Sequence, residues 1–199
     1  VTPPPFHHHG NLRAVLLDAA ERTLREGTVD DLSLRDLARQ AGVSHGAPRS
    51  HFIDRQALLD ALAERGFARL ADAVAEAGAA PAGTLVARVH AVATAYVDFA
   101  VSDAALMELM FSTKGAGAPP AVQAAAARLF SAFGAMFDAD FRAGHFRGTD
   151  PERTKLFFVA ALQGIAALIT SGRVSPGQGG ELVEEAVALV LVDGAPGGS

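Results

Sequence analysis

The sequence predicts an all-α protein, with a three-helix head followed by a larger helical bundle. Three observations carry this. Apolar residues recur at helical spacing along the 199-residue chain, and the strict alternation of a half-buried strand is absent. Gly/Pro loops at 78–83, 114–120 and 175–180 separate the periodic stretches. Half of the chain is hydrophobic, ample for a core at this length.

Nine helices follow in order. The stripe Leu12, Val15, Leu16, Ala19, Ala20 and Thr23 gives a first helix from about Asn11 to Glu26, stopped at Gly27. Ser33 with Asp36 three residues on is a variant capping box that opens the second, whose buried face is Leu34, Leu37, Ala38 and Ala41. Gly42 supplies a tight turn, where a positive φ is cheap. Ser44 caps a third helix that runs to His51 or Phe52, and Asp54 caps a long fourth helix ending near Gly78. The fifth runs from Thr84 to Val101. Asp103 caps a sixth, ending near Ser112, and the seventh runs from Pro120 to Ala143. The eighth runs from Pro151 to Ser171, with Pro at the permitted first turn. After the 175–180 loop, a ninth helix spans Glu181 to Val192, and the tail from Gly194 frays.

Cysteine is absent, which excludes a disulfide framework and thiolate metal sites and suits a reducing cytosol. Residues 1–9 are rich in Pro and His and show no apolar h-region of a secretory signal. The longest apolar run, Leu156 to Thr170, is broken by Gln163 and at about 1.5 Å per residue falls short of a bilayer core. A soluble, cytoplasmic protein with no membrane partner is expected. Net charge is −5, which argues against a generally basic nucleic-acid coat. The charge is uneven, however. Residues 1–56 hold seven Arg and seven acids, so the remainder carries all of the −5. Between Asp36 and Asp54 there is no acid, only Arg39, His45, Arg49 and His51, a candidate anion-facing surface.

That window coincides with a helix-turn-helix. Ala38 is small where two helices approach, Gly42 turns the chain, and Val43 plugs the core. The second helix then presents His45, Gly46, Arg49 and Ser50 outward. In such units the start of this helix meets base edges, and surrounding groups hold phosphates. Arg49 suits a guanine or a phosphate, and Arg55 is a further phosphate candidate. Ser33 and Ser44 place helix N-termini where an anion binds well. Pro48, four residues after Ser44, deletes an early helical hydrogen bond, so a short or distorted first turn is expected. Spacing alone leaves open an αα-hairpin with a solvated face.

His7-His8-His9-Gly10-Asn11-Leu12-Arg13, Leu32-Ser33-Leu34-Arg35-Asp36-Leu37-Ala38, Ala41-Gly42-Val43-Ser44-His45-Gly46-Ala47-Pro48 and His51-Phe52-x-x-Arg55-x-x-Leu58-Leu59 resemble the TetR family of bacterial regulators. Within it, the resemblance is to the subgroup whose effector domain carries a Trp-His-Gly signature. It implies a nine-helix homodimer, with a helix-turn-helix domain at 7–55, continuing into the fourth helix to about 67, and an effector-binding and dimerisation domain at 56–199. It implies a transcriptional regulator, typically a repressor released from a palindromic operator by a small apolar or amphipathic effector. Carried onto this chain, the DNA-facing set is Ser33, Leu34, Arg35, Ser44, His45, Gly46, Arg49, Ser50, His51 and Arg55. Three positions depart from the family. Arg49 stands where Tyr is usual, Arg55 where Lys is usual, and Leu162-Gln163-Gly164 where the signature falls. His7–His9 read as an arm near the minor groove, with a tag remnant or a metal site as the alternatives.

Toward the C-terminus, the eighth and ninth helices are apolar on nearly all sides, so each is buried on two faces. A second subunit is the expected cover, against Phe157, Ala160, Ala161, Gly164, Leu168, Val183, Val187 and Val190; burial within one subunit is the alternative. Aromatic and Met residues of the middle helices are either core or an effector pocket, with His90, Tyr96, Phe99, Met107, Phe111, Phe133, Phe137 and Gln163 as candidates. No cofactor or metal site is expected. No nucleophilic triad, P-loop or dinucleotide fingerprint is present, and neither is a Glu-x-x-His pair, so an enzyme is not expected. The rival class is a helical adaptor or small-molecule-binding bundle without DNA binding.

Overall fold

The structure, a computed structural model, describes residues 12–79, 83–112 and 117–192. They form α1 (Leu12–Glu26), α2 (Leu34–Gln40), α3 (Arg55–Ala79), α4 (Leu85–Ser102), α5 (Ala104–Ser112), α6 (Pro120–Arg142), α7 (Pro151–Thr170) and α8 (Pro176–Val190). Two 3-10 turns, Val29–Asp31 and Ala47–Ser50, flank α2. An isolated bridge pairs Phe146 with Leu191, and no strand is formed among the described residues. The all-α class stands, and the order is the nine expected if Ala47–Ser50 is counted as the third helix.

The caps explain most boundaries. Ser33 Oγ accepts from the Asp36 N–H at 3.1 Å, Asp54 Oδ1 from Ala57 at 2.8 Å, and Thr84 Oγ1 from Ala87 at 3.1 Å. Asp150 Oδ1 accepts from Glu152 and Arg153 at 3.0 and 3.2 Å. Each such cap is worth about 1 kcal/mol. Two expectations need correction. The third helix is a single 3-10 turn, and α8 starts at Pro176, not at Glu181. Ser175 and Gln178 make a full capping box, with the Ser175 N–H donating to Gln178 Oε1 at 2.9 Å and the Gln178 N–H to Ser175 Oγ at 3.3 Å. Of the glycines that suggested a loop, Gly179 packs against α7, while at Gly177 and Gly180 there is room for a side chain. A Cβ on Gly179 would stand 2.4 Å from Ile169 Cδ1 and 2.8 Å from its Cγ1, so a larger residue there would push the Ile169 side chain aside.

The chain divides into two compact units, residues up to 66 with 105–122, and 67–104 with 123 onward. In the first, Leu16, Ala20 and Leu24 of α1 are buried with Leu37 and Ala38 of α2, Phe52, and Leu58 and Leu62 of α3. A fully buried leucine contributes about 2 kcal/mol. α5 joins this unit, because Gly66 leaves room for Met110 and Leu106; a Cβ there would stand 2.6 Å from Met110 Sδ. Arg65 ties α3 to α1 by pairing with Asp18 and, at 3.0 Å, with the buried Glu21.

In the second unit α4, α7 and α8 pack on one another. Val89, Val92 and Tyr96 are buried there with Phe158, Leu162, Ile165, Val183 and Val187. α4 and α7, at 18 and 20 residues, are long and apolar enough to cross a membrane by length and composition. α7 exceeds the apolar run in the sequence because its first five residues add Glu152, Arg153 and Lys155.

Candidate nucleic-acid interface

The turn after α2 is built by its own backbone. Gly42 has φ +68°, the left-handed region that glycine enters without strain. Its N–H bonds to Arg39 O at 3.2 Å, and the Val43 N–H reaches back to Ala38 O at 3.0 Å. That pair of bonds is a Schellman closure, satisfying carbonyls that the helix end would otherwise leave open. Val43 is half-buried, a weaker plug than expected.

Beyond the turn, Pro48 sets the geometry. It has no N–H to return to Ser44 O, and Ala47 donates there instead, at 3.0 Å. Arg49 N–H to Gly46 O and His51 N–H to Pro48 O, at 3.2 and 3.0 Å, continue the tighter ladder. Pro48 is buried, and Ser44, His45, Gly46, Arg49, Ser50 and His51 are all exposed. The distortion expected of a first turn therefore takes the whole segment. Ser44 lies ahead of the turn and makes no cap, since Gly46 holds the N-cap position. The Ser50 hydroxyl is spent on Ala47 O at 2.7 Å.

The cations divide into spent and free. Arg39 pairs with Asp36 at 2.8 Å. Asp36 also accepts from the Ser33 hydroxyl at 2.6 Å. That bond first, and the Arg39 and Arg35 charges after it, hold its carboxyl below the usual range. Arg55, read as a phosphate ligand, is committed to the fold. Its Nε donates to Leu32 O at 3.0 Å and its Nη2 to Val29 O at 2.6 Å, with Asp30 at 3.7 Å. Arg35 and Arg49 are exposed and make no ion pair among the described residues. Leu34 is half-buried on α2. His7–His9 lie outside the described residues.

The expected effector set is divided between the two units. Met107 and Phe111 belong to the first unit; His90, Tyr96, Phe99, Phe133, Phe137 and Gln163 belong to the second. Tyr96 is fully buried and meets Phe133 edge-on at 6.2 Å. Its hydroxyl faces Gln163 without closing a hydrogen bond of good geometry. Burial pushes its pKa up to about 12, against a smaller lowering by Gln163. Phe99 packs under the Arg69 guanidinium at 5.2 Å, a core role. Of the eight, only Phe133 and Phe137 line the aromatic cavity of this unit. Residues that the sequence reading passed over complete it, namely Phe141, Phe146, Phe158 and Lys155. Phe146 lies in a loop, where helical periodicity gives no signal.

The expected dimer set divides by face. Phe157, Ala160 and Gly164 are exposed along α7, and Ala161 and Leu168 are half-buried beside them. Val183, Val187 and Val190 are buried within the subunit, which corrects their assignment. The exposed apolar residues of α8 are Leu182 and Leu189.

A capped helix, a Schellman turn at Gly42 and exposed cations on both sides of it, Arg35 before and Arg49 after, that make no ion pair among the described residues define a helix-turn-helix DNA-binding protein. Residues 16–62 match the family described as bacterial regulatory proteins, tetR family, and residues 89–190 match the tetracyclin repressor-like C-terminal domain. The chain belongs to the TetR family and is a DNA-binding transcriptional regulator. It is similar to a structure from Rhodococcus sp. RHA1, a protein with unknown function, at 43% identity over 94% of this chain and 96% of that one, with TM-score 0.82. A putative TetR-family transcriptional regulator from Rhodococcus sp. shares the fold at 19% identity, 92% and 100% coverage and TM-score 0.72. PfmR, a TetR family transcriptional regulator from Thermus thermophilus, shares it at 17% identity, 88% and 96% coverage and TM-score 0.66. No curated protein matches the chain.

Proposed function

We propose that the chain acts in the cytoplasm as a homodimeric repressor, which holds two reading heads on a palindromic operator and is released by a small apolar or amphipathic effector. The observation that carries the DNA contact is the pair of exposed cations, Arg35 and Arg49, on either side of the Gly42 turn, which make no ion pair among the described residues. They are placed to meet phosphates or guanine edges, while His45 and Gly46 lie exposed at the start of the second segment and His51 at its end. Two-fold operators call for two heads. The exposed apolar face of Leu156 and Phe157 on α7 with Leu182 and Leu189 on α8 supports a partner subunit there. Enzymatic activity is no part of this reading.

The test is selection from a pool of random duplexes, followed by mobility shifts at physiological salt, with sedimentation of the free protein. The expected outcome is enrichment of a palindromic sequence, and a dimer at micromolar concentration that Phe157→Glu with Leu189→Glu dissociates. A pool with no enriched sequence, or a clean monomer before mutation, overturns the reading.

A further inference from the structure

We propose that the aromatic slot of the second unit binds a small amphipathic acid, an aryl or short acyl carboxylate, whose anion is held by Lys155. The proposal gives the effector a chemical class; it rests on the reading above only for the release of DNA, not for binding. The slot is walled by Phe133 and Phe137 of α6, Phe158 of α7 and Phe146 of the intervening loop, against Val89 of α4. Its enclosed volume is about 50 Å3, a foothold for the edge of a ring or the end of a short chain and less than the roughly 150 Å3 that encloses a whole benzene ring, so the rest of a ligand lies in the open mouth; the exposed Asp138 and Glu152 are among its lining.

The walls are held before any ligand arrives. Phe146 stacks on Phe141 at 5.5 Å and meets Phe137 edge-on at 5.9 Å. Its loop is pinned to the end of α8 by two bonds of 2.9 Å, from the Arg147 N–H to Val190 O and from the Val192 N–H to His145 O. A preformed apolar slot avoids the ordering cost that weakens binding.

Lys155 is the one cation of the lining, against the carboxylates of Asp138 and Glu152, and it is the least exposed of the three. Its side chain is only 17% exposed, and its ammonium lies over the α6 backbone at Gly134, where a Cβ would stand 3.2 Å from Nζ. Its ion-pair partner is Glu152 at 2.7 Å, itself 78% exposed. Pairing with so exposed a carboxylate is worth little, and Glu152 returns to water at small cost. A cationic ligand would leave the ammonium inside the slot facing a like charge. A neutral ligand would leave the pair as it is. An acid replaces Glu152 with a carboxylate that also buries an apolar tail, so both halves of the ligand gain.

Calorimetric titration with 3-phenylpropanoate, its amide, 3-phenylpropylamine and octanoate tests this. The two acids are expected to bind about 10-fold or more tighter than the amide, and the amine weakest. Lys155→Met should abolish the preference for acid while the amide's binding persists, and Lys155→Arg should keep it. Glu152→Gln frees the ammonium and should strengthen acid binding, a direction that a damaged fold does not produce. Equal binding of acid, amide and amine, no binding of either acid, or acid affinity unchanged in Lys155→Met overturns the assignment. The selected operator separates the two readings. Acid bound through Lys155 without loss of the DNA complex upholds the slot and removes the effector role. Release of DNA by an unrelated compound, with no acid bound, removes the slot assignment and upholds effector control.

Discussion

Arg49 and Arg55 carry the same charge six residues apart, and the structure gives them opposite employment. Arg49 is exposed and has no ion-pair partner among the described residues, so Arg49→Ala should leave the melting temperature within about 1 °C of wild type. Its cost falls on DNA. A lost charge-assisted contact of about 1 kcal/mol in each head gives about 2 kcal/mol for a dimer, roughly a 30-fold loss of affinity. If the contact is to phosphate, the slope of log K against log salt becomes shallower by about 0.9 per head, close to 2 for the dimer. If it is to a base, the slope holds and specificity relaxes at one position in each half-site. Arg55→Ala should do the reverse. It strips two charged donors from Val29 O and Leu32 O, and the Leu32 residue is only 2% exposed. That costs about 2 kcal/mol, or about 4–8 °C in Tm for a chain of this length. The fully exposed Asp30 partner adds nothing to this figure. Thermal melts and mobility shifts over a salt series read both variants. An unchanged melt with a flattened salt slope in Arg55→Ala, beside lowered stability and unaltered DNA binding in Arg49→Ala, would refute the division.

Gly42→Ala should cost about 1–2 kcal/mol of stability, because φ is +68° and the added Cβ touches nothing, while Gly46→Ala, with φ −85° in open space, should be neutral in the same melt. Tyr96 is the chain's only tyrosine and Trp is absent, so its titration is readable by ultraviolet absorbance. The folded phenol should ionise near pH 12. A raised folded pKa contributes stability in full below pH 10, the unfolded value, and loses it as pH climbs from 10 to about 12. Alkaline unfolding should steepen in that window, and Tyr96→Phe should remove the steepening. Gly179→Ala should destabilise by about 1–3 kcal/mol through the clash with Ile169, and Ile169→Ala should make it nearly neutral in a double-mutant cycle.

What was legible in the sequence is what four or five neighbouring residues decide among themselves. Ser33 needs only Asp36 to cap α2, and Gly42 needs only the carbonyls of α2 to close its turn. The start of α8 was legible on the same terms. It was lost because the glycines at 177, 179 and 180 weighed more than Ser175 and Gln178. Gly179 is there for contact with Ile169, a residue ten positions away. The faces of α8 were beyond local reading altogether. Val183 and Val187 differ from Leu182 and Leu189 by a rotation of the helix, and both stripes are apolar, so only the placement of α4 and α7 shows which one the subunit buries. The arginines teach the same lesson about function. The sequence counts seven of them in the first 56 residues, but DNA feels only charge that the fold has not already used. Among the seven, Arg55 closes onto the carbonyls of the turn at Val29–Asp31, Arg39 onto Asp36 and Arg25 onto Glu21, and Arg13 lies over the Phe52 ring. Beside the Gly42 turn, Arg35 and Arg49 are the exposed ones with no ion pair among the described residues. A neutral head thus presents cations at this turn because the acids nearest it, Asp36 and Asp54, are engaged in caps and, for Asp36, an ion pair.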